Sequence, residues 1–134
     1  MNEDAEKLWT DALRSGEYEQ GKYVLFDGEK YCCLGVLCLL HQKETGGSWD
    51  AQDARDEGCS RKYLNEIDVL PEAVVEWAGL SSDIGGWDPE SGYSLTDLND
   101  RGTSFEEIAG IIEEGLVDLY REVNAWTKKQ SKCG

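Results

Sequence analysis

Apolar residues recur along the first fifteen positions at the spacing of one helical face. Ala5, Leu8, Trp9, Ala12 and Leu13 occupy i, i+3, i+4, i+7 and i+8, which predicts an amphipathic helix over residues 2–15. Glu3, Asp4 and Glu6 lie near its start, where the helix dipole favours negative charge, and Gly16 is placed to end it. The stretch "YVLFDGEKYCC" then predicts two short strands around an Asp27-Gly28 turn. Residues Leu34 to His41 are too long and too apolar a run for a strand in so small a domain, so a helix is expected. Cys33, Leu34, Leu37, Cys38 and His41 would share one broad face of it. Gly35 is expected to permit a close backbone approach, because no second glycine of a phosphate loop follows it.

The pattern then lapses. Residues 43–62 are polar, contain glycines and show no period, which predicts a long connection. "YLNEIDVL" reads as a strand, and Pro71 opens a short helix, "PEAVVEWAGL", with Gly79 past its end. Residues 81–94 form a second loop displaying Trp87 and Tyr93, and "SLTDLND" is a short element whose type the pattern does not decide. Ser104 and Glu107 have capping-box spacing, and Phe105, Ile108, Ile112, Leu116, Leu119 and Val123 continue a helix to about Trp126. Lys128, Lys129 and Lys132 complement its C-terminal end, and the tail from about residue 128 is expected to be mobile. The sum is a single α+β domain over residues 1–134, with three or four helices packed on a small antiparallel sheet.

Charge narrows the classes of partner. The 134 residues include 28 acidic and 13 basic ones, for a formal net charge of -15. Such a field repels phosphate, so direct nucleic-acid binding is disfavoured and approach to a basic surface is helped. The start, "MNEDAEKLW", is acidic and lacks the features of a signal peptide. The longest apolar run, "YCCLGVLCLL", is about half the length needed to span a bilayer. A cytoplasmic location without membrane association is expected, where thiols stay reduced. Five cysteines without regular spacing do not make a disulfide framework, and Cys133 is expected to be an exposed thiol.

The segment "GEKYCCLGVLCLLH" holds three cysteines and the only histidine of the chain. A cysteine nucleophile needs a base, and His41 lies three residues from Cys38 on one helix. Cys33, at the start of that helix, would have a lowered pKa as a nucleophile. Thiol hydrolases bring the base from a distant segment, however, and there is no second histidine to do so. Cys33, Cys38 and His41 with Cys59 would make four zinc ligands, but no Cys-x-x-Cys pair supports the set. Cysteine also behaves as a small, commonly buried apolar residue, and packing is the favoured reading of all three. Neither a cofactor nor a metal is implied. The carboxylate pairs Glu106-Glu107 and Glu113-Glu114 read as a solvated helix face.

One region goes beyond a generic soluble domain. Between Asp83 and Glu114 there are nine acidic residues and one basic residue, Arg101. Trp87, Asp88, Glu90, Tyr93 and Asp97 are therefore the candidate binding residues, with Trp49 in the earlier loop as a further one. Aromatic rings would supply contact area and carboxylates would steer a basic partner. A sponge for a small nucleotide signal is the alternative, with Arg14, Lys22, Arg61 and Lys62 as its few basic candidates. A hydrolase using Cys33 is the third reading.

Four motifs carry a resemblance. "WTDALRSGEYEQG" (Trp9 to Gly21), "YCCLGVLC" (Tyr31 to Cys38), "LPEAVVEWAGL" (Leu70 to Leu80) and "LNDRGTSFEEIA" (Leu98 to Ala109) stand in the order and spacing of a known group. The chain resembles a widespread group of small, uncharacterised proteins encoded by tailed phages and prophages. The resemblance implies expression in the cytoplasm of an infected bacterium and carries no catalytic residues with it. Small acidic accessory proteins of this sort suggest a non-enzymatic protein that inhibits or redirects a host factor, such as a defence or nucleic-acid-processing protein.

Overall fold

The computed structural model describes residues 1–47, 49–50, 62–88 and 92–115, and among these five helices supply the framework. Helix α1 spans Glu3–Arg14 and buries Ala5, Trp9, Thr10 and Leu13. Its cap is Asn2, whose Oδ1 accepts from the amides of Asp4 at 2.8 Å and Ala5 at 3.4 Å. Helix α2, Cys33–Thr45, is buried on every side from Cys33 to Cys38, where the sequence is apolar, and its polar last turn, Lys43 to Thr45, is exposed. Cys32 caps it, with Sγ accepting from the Gly35 amide at 3.4 Å. Helix α3, Glu72–Ala78, has Pro71 as its N-cap, one position earlier than the sequence suggested, and ends at Gly79. The undecided segment is helix α4, Leu95–Asp100, with a capping box between Ser94 and Asp97. Helix α5, Phe105–Glu113, begins at the expected Ser104 cap.

The strands depart from expectation. There are two separate two-residue antiparallel ladders among the described residues, and no sheet on which the helices pack. In the first, β1 (Trp49–Asp50) pairs with β2 (Lys62–Tyr63), Trp49 facing Tyr63. In the second, β3 (Trp87–Asp88) pairs with β4 (Tyr93–Ser94). The hairpin expected around Asp27-Gly28 is reduced to its turn. Asp27 Oδ1 accepts from the Glu29 and Lys30 amides at 2.9 and 2.7 Å, but the flanks make only isolated bridges. Two backbone bonds cross the turn, Asp27 to Lys30 and Cys32 to Leu25, but other groups of the flanks bond elsewhere. The Leu25 amide donates to the Ile67 carbonyl and the Tyr31 amide to the Glu19 carbonyl, and Tyr23 has a φ of 72°, which no strand adopts. "YLNEIDVL" likewise stops being a strand after Tyr63. Leu64 and Asn65 both have positive φ, and Tyr63 pairs with Glu66 across them as a tight turn.

Helix α5 ends sooner than the apolar period suggested. Glu114 caps it and Gly115 follows at φ 85°, a left-handed conformation that glycine adopts without a Cβ penalty. Leu116, Leu119, Val123, Trp126 and the expected mobile tail lie outside the described residues.

The core is a stack of helix faces. Helix α1 packs most extensively against α5, and Arg14 grips Glu113 with two bonds of 2.6 and 2.7 Å where those helices meet. Trp9, Leu25, Leu34, Val36, Leu37, Val74, Ile108 and Ile112 are fully buried. Cys33 and Cys38 are buried with them, and Cys32 nearly so, which is the packing role expected of the thiols. A Cβ at Gly35 would lie 1.8 Å from the carbonyl oxygen of Leu25. The absence of a side chain lets the irregular segment cross α2 in contact with its backbone.

Two substitutions check this packing. Gly35→Ala should lower stability by about 3 kcal/mol or more, despite gaining about 1 kcal/mol in helix propensity, because backbone meets backbone. Cys38→Ser should lower it by roughly 1–3 kcal/mol by burying a hydroxyl in an apolar site. Denaturant unfolding of each variant measures both, and an unchanged midpoint for Gly35→Ala would show that the crossing is looser than described.

Candidate functional site

A single buried side chain organises the surface that carries the candidate site. Asn99 on α4 is fully buried. Its Oδ1 accepts from the Cys33 amide at 3.1 Å and from Gln20 Nε2 at 2.9 Å, and its Nδ2 donates to the Gly21 carbonyl at 2.8 Å. Gln20 also donates to the Thr103 carbonyl at 2.6 Å. The segment around residue 21 is thereby fixed along α4, and it brings Tyr23 over the end of that helix.

There Tyr23, Tyr93, Asp97, Asp100 and Arg101 line a cleft of about 350 Å³. Tyr23 is 69% exposed, and its amide donates to Asp100 Oδ1 at 2.8 Å. That bond helps hold the tyrosine in its left-handed conformation, which is unusual for a side chain of this size. Asp97 accepts from the Ser94 amide at 3.2 Å and remains exposed. The Arg101 guanidinium sits 4.4 Å from the centre of the Tyr93 ring, a cation–π contact. The arrangement offers aromatic faces and carboxylates together in a shallow recess.

Of the binding residues chosen from the sequence, Tyr93 and Asp97 meet in this cleft. Trp87 and Asp88 are described through the backbone of β3, and Glu90 lies outside the described residues. Trp49 is not a displayed ring. It is half-buried among Phe26, Tyr31 and Tyr63, with its indole N–H donating to Gln42 Oε1 at 3.0 Å. Tyr23, Asp100 and Arg101 were missed. Asp100 and Arg101 lie in the "LNDRG" stretch, so a search for acidic residues next to the lone arginine would have found them. Nothing in "GKYVLF" signals a left-handed tyrosine.

The cysteine–histidine cluster has a different character. Burial pushes the Cys32 thiol up to about 11 and the Cys33 and Cys38 thiols well above their ordinary value. This corrects the lowered pKa considered for Cys33, because desolvation outweighs the helix N-terminus. The Cys33 thiol points to the Leu95 carbonyl at 3.8 Å. His41 does not serve a thiol: its Nδ1 lies 2.6 Å from the Tyr63 hydroxyl, and its ring meets Trp77 edge to face at 5.2 Å. Among the described residues, no three histidine, cysteine or acidic side chains are grouped to hold a metal, and Cys59 lies outside them. No helix among the described residues is long and apolar enough to cross a membrane.

Burial holds the His41 imidazole below its usual value of about 6.5. The unfolded chain therefore takes up the proton first as pH falls, so this contribution to stability is present above about pH 6.5 and is lost as pH drops below it. The single imidazole should titrate by NMR with a midpoint under 6.5, and the His41→Gln variant should lose that part of the pH dependence. A midpoint at or above 6.5 would contradict the buried neutral ring.

Neither a curated protein nor a solved structure matches the chain. One family model does, over residues 1–116, a span that contains all four sequence motifs, the Asn99 network and every residue lining the cleft. The chain belongs to the family described as Domain of unknown function (DUF8296).

Proposed function

We propose that this chain is a non-enzymatic acidic binding protein, encoded by a phage, that inhibits or redirects a host protein with a basic surface in the bacterial cytoplasm. The observation that carries the reading is the cleft at the end of α4. Two tyrosines and two aspartates share one recess on a chain of net charge -15. Rings provide contact area once a partner is seated, and the surrounding field raises the rate at which a basic partner arrives. Defence and nucleic-acid-processing proteins are suitable targets because they present basic surfaces to phosphate.

The other two readings have less support. A cysteine hydrolase needs a reachable thiolate, and the three described thiols are buried with raised pKa values. A nucleotide sponge needs a basic pocket. Arg14 is engaged by Glu113, Lys22 and Lys62 are exposed, and Arg61 lies outside the described residues.

Binding kinetics test the proposal. A host partner is captured, and its association is measured at low and high salt for the wild type and for a variant carrying Asp88→Asn, Glu90→Gln and Asp97→Asn. These changes remove charge with little change in shape. The variant should associate roughly ten-fold more slowly at low salt, and the difference should shrink as salt screens the field. Equal association rates at both salts would reduce the acidic surface to an aid to solubility.

A further inference from the structure

Resting on the binding role proposed above, we infer that the α4 cleft recognises one arginine side chain of a basic protein segment, and that Arg101 is its built-in competitor. The cleft already holds a guanidinium. Arg101 lies 4.4 Å over the Tyr93 ring and belongs to the same lining as Asp97, Asp100 and Tyr23. A guanidinium is planar and weakly hydrated, so it stacks on a ring and donates in its own plane at the same time. An incoming arginine would find the Tyr93 face, the exposed Tyr23 ring and two carboxylates with which to form charge-assisted hydrogen bonds.

The carboxylates have capacity for this. Asp97 accepts from the Ser94 amide, and Asp100 accepts from the Tyr23 amide and Asn99. A carboxylate has about four acceptor positions, so each retains some for a ligand. The described ion pairs, Lys7 with Asp11 and Arg14 with Glu113, engage neither of them. The volume of about 350 Å³ is at the small end of ligand pockets and suits a side chain rather than a helix. Arg101 is exposed and caps the C-terminal end of α4, so its side chain can leave the ring without disturbing buried groups. While it stays, it occupies the Tyr93 face and lowers the apparent affinity for any other cation by the fraction of time that face is covered.

The probe is a capped glycine–serine hexapeptide with one central arginine, compared with its lysine and citrulline versions. Binding is followed through the tyrosine ring resonances of the folded protein. The arginine peptide should shift the Tyr23 and Tyr93 signals, the lysine peptide should bind more weakly, and the citrulline peptide should not bind. Arg101→Gln should tighten arginine binding by about two- to five-fold, the value of one exposed cation–π contact. Arg101→Lys should tighten it less. Lys7→Gln removes the same charge from the exposed side of α1 and should leave the affinity unchanged. Asp97→Asn, whose amide oxygen can still accept from Ser94, should weaken it.

Equal gains from Arg101→Gln and Lys7→Gln would overturn the inference, since a general field would then explain both. So would arginine binding that leaves both tyrosine signals unmoved. Either result leaves the salt-dependent capture of a host protein standing. Conversely, a failed capture with a working peptide site would fault the functional reading and not the cleft.

Discussion

The structure depends on the satisfaction of one buried carboxamide. Asn99 has no solvent to bond with, and an unpaired amide in that position would cost several kcal/mol. Its partners are the first amide of α2, the Gly21 carbonyl and the Gln20 side chain. The carbonyl of that same Cys33 residue accepts from the Trp9 indole at 2.9 Å. Helices α1, α2 and α4 and the irregular segment after α1 therefore converge on two residues. Apolar burial supplies most of the stability here, but it is not directional. The network fixes how the helices are arranged, because a partly satisfied buried network is worse than none.

The cysteine-rich motif is accounted for by the same junction. Leu25 crosses α2 over Gly35 with no room for a Cβ, and the neighbouring thiols are buried as small apolar groups, the Cys33 thiol against the Leu95 carbonyl of α4. Cys32 adds a weak cap, its sulfur accepting from the Gly35 amide. A run that looks reactive in the sequence is thus inert by placement. Desolvation raises each thiol pKa, and this outweighs any lowering from the start of the helix.

What could be read from the sequence follows from how local each cause is. Helix α1, the Ser104 cap, the role of Gly35 and the burial of Cys33 and Cys38 all depend on spacing or on residue size, and these show in the chain itself. The strands around Asp27-Gly28 did not form because the Leu25 amide is claimed by Ile67, forty-two residues away, and β propensity cannot foresee that claim. Leu64 with positive φ is a similar case: a leucine gives no turn signal, and the turn is imposed by pairing between Tyr63 and Glu66. The short helix α4 was undecided because six residues carry too little period, although Ser94 and Asp97 spell a cap. In the candidate site, Tyr93 and Asp97 were found through charge and aromaticity. Tyr23 joins them through two long-range bonds, Gly21 to Asn99 and its own amide to Asp100.

Three consecutive residues at the end of α4 divide the work between fold and surface. Asn99 points into the core, Asp100 reaches Tyr23, and Arg101 lies over Tyr93 at the rim. The cleft therefore inherits its shape from the same turn of helix that satisfies the buried network. Tyr23 could not hold a left-handed backbone on its own, since that conformation is disfavoured for large side chains. It is held because Gly21 is pinned by Asn99 on one side and its own amide is bound by Asp100 on the other. The backbone that displays this ring is fixed before any partner arrives, so less backbone entropy remains to be lost on binding. That is the physical ground on which recognition is proposed for the end of α4 rather than for the cysteine cluster.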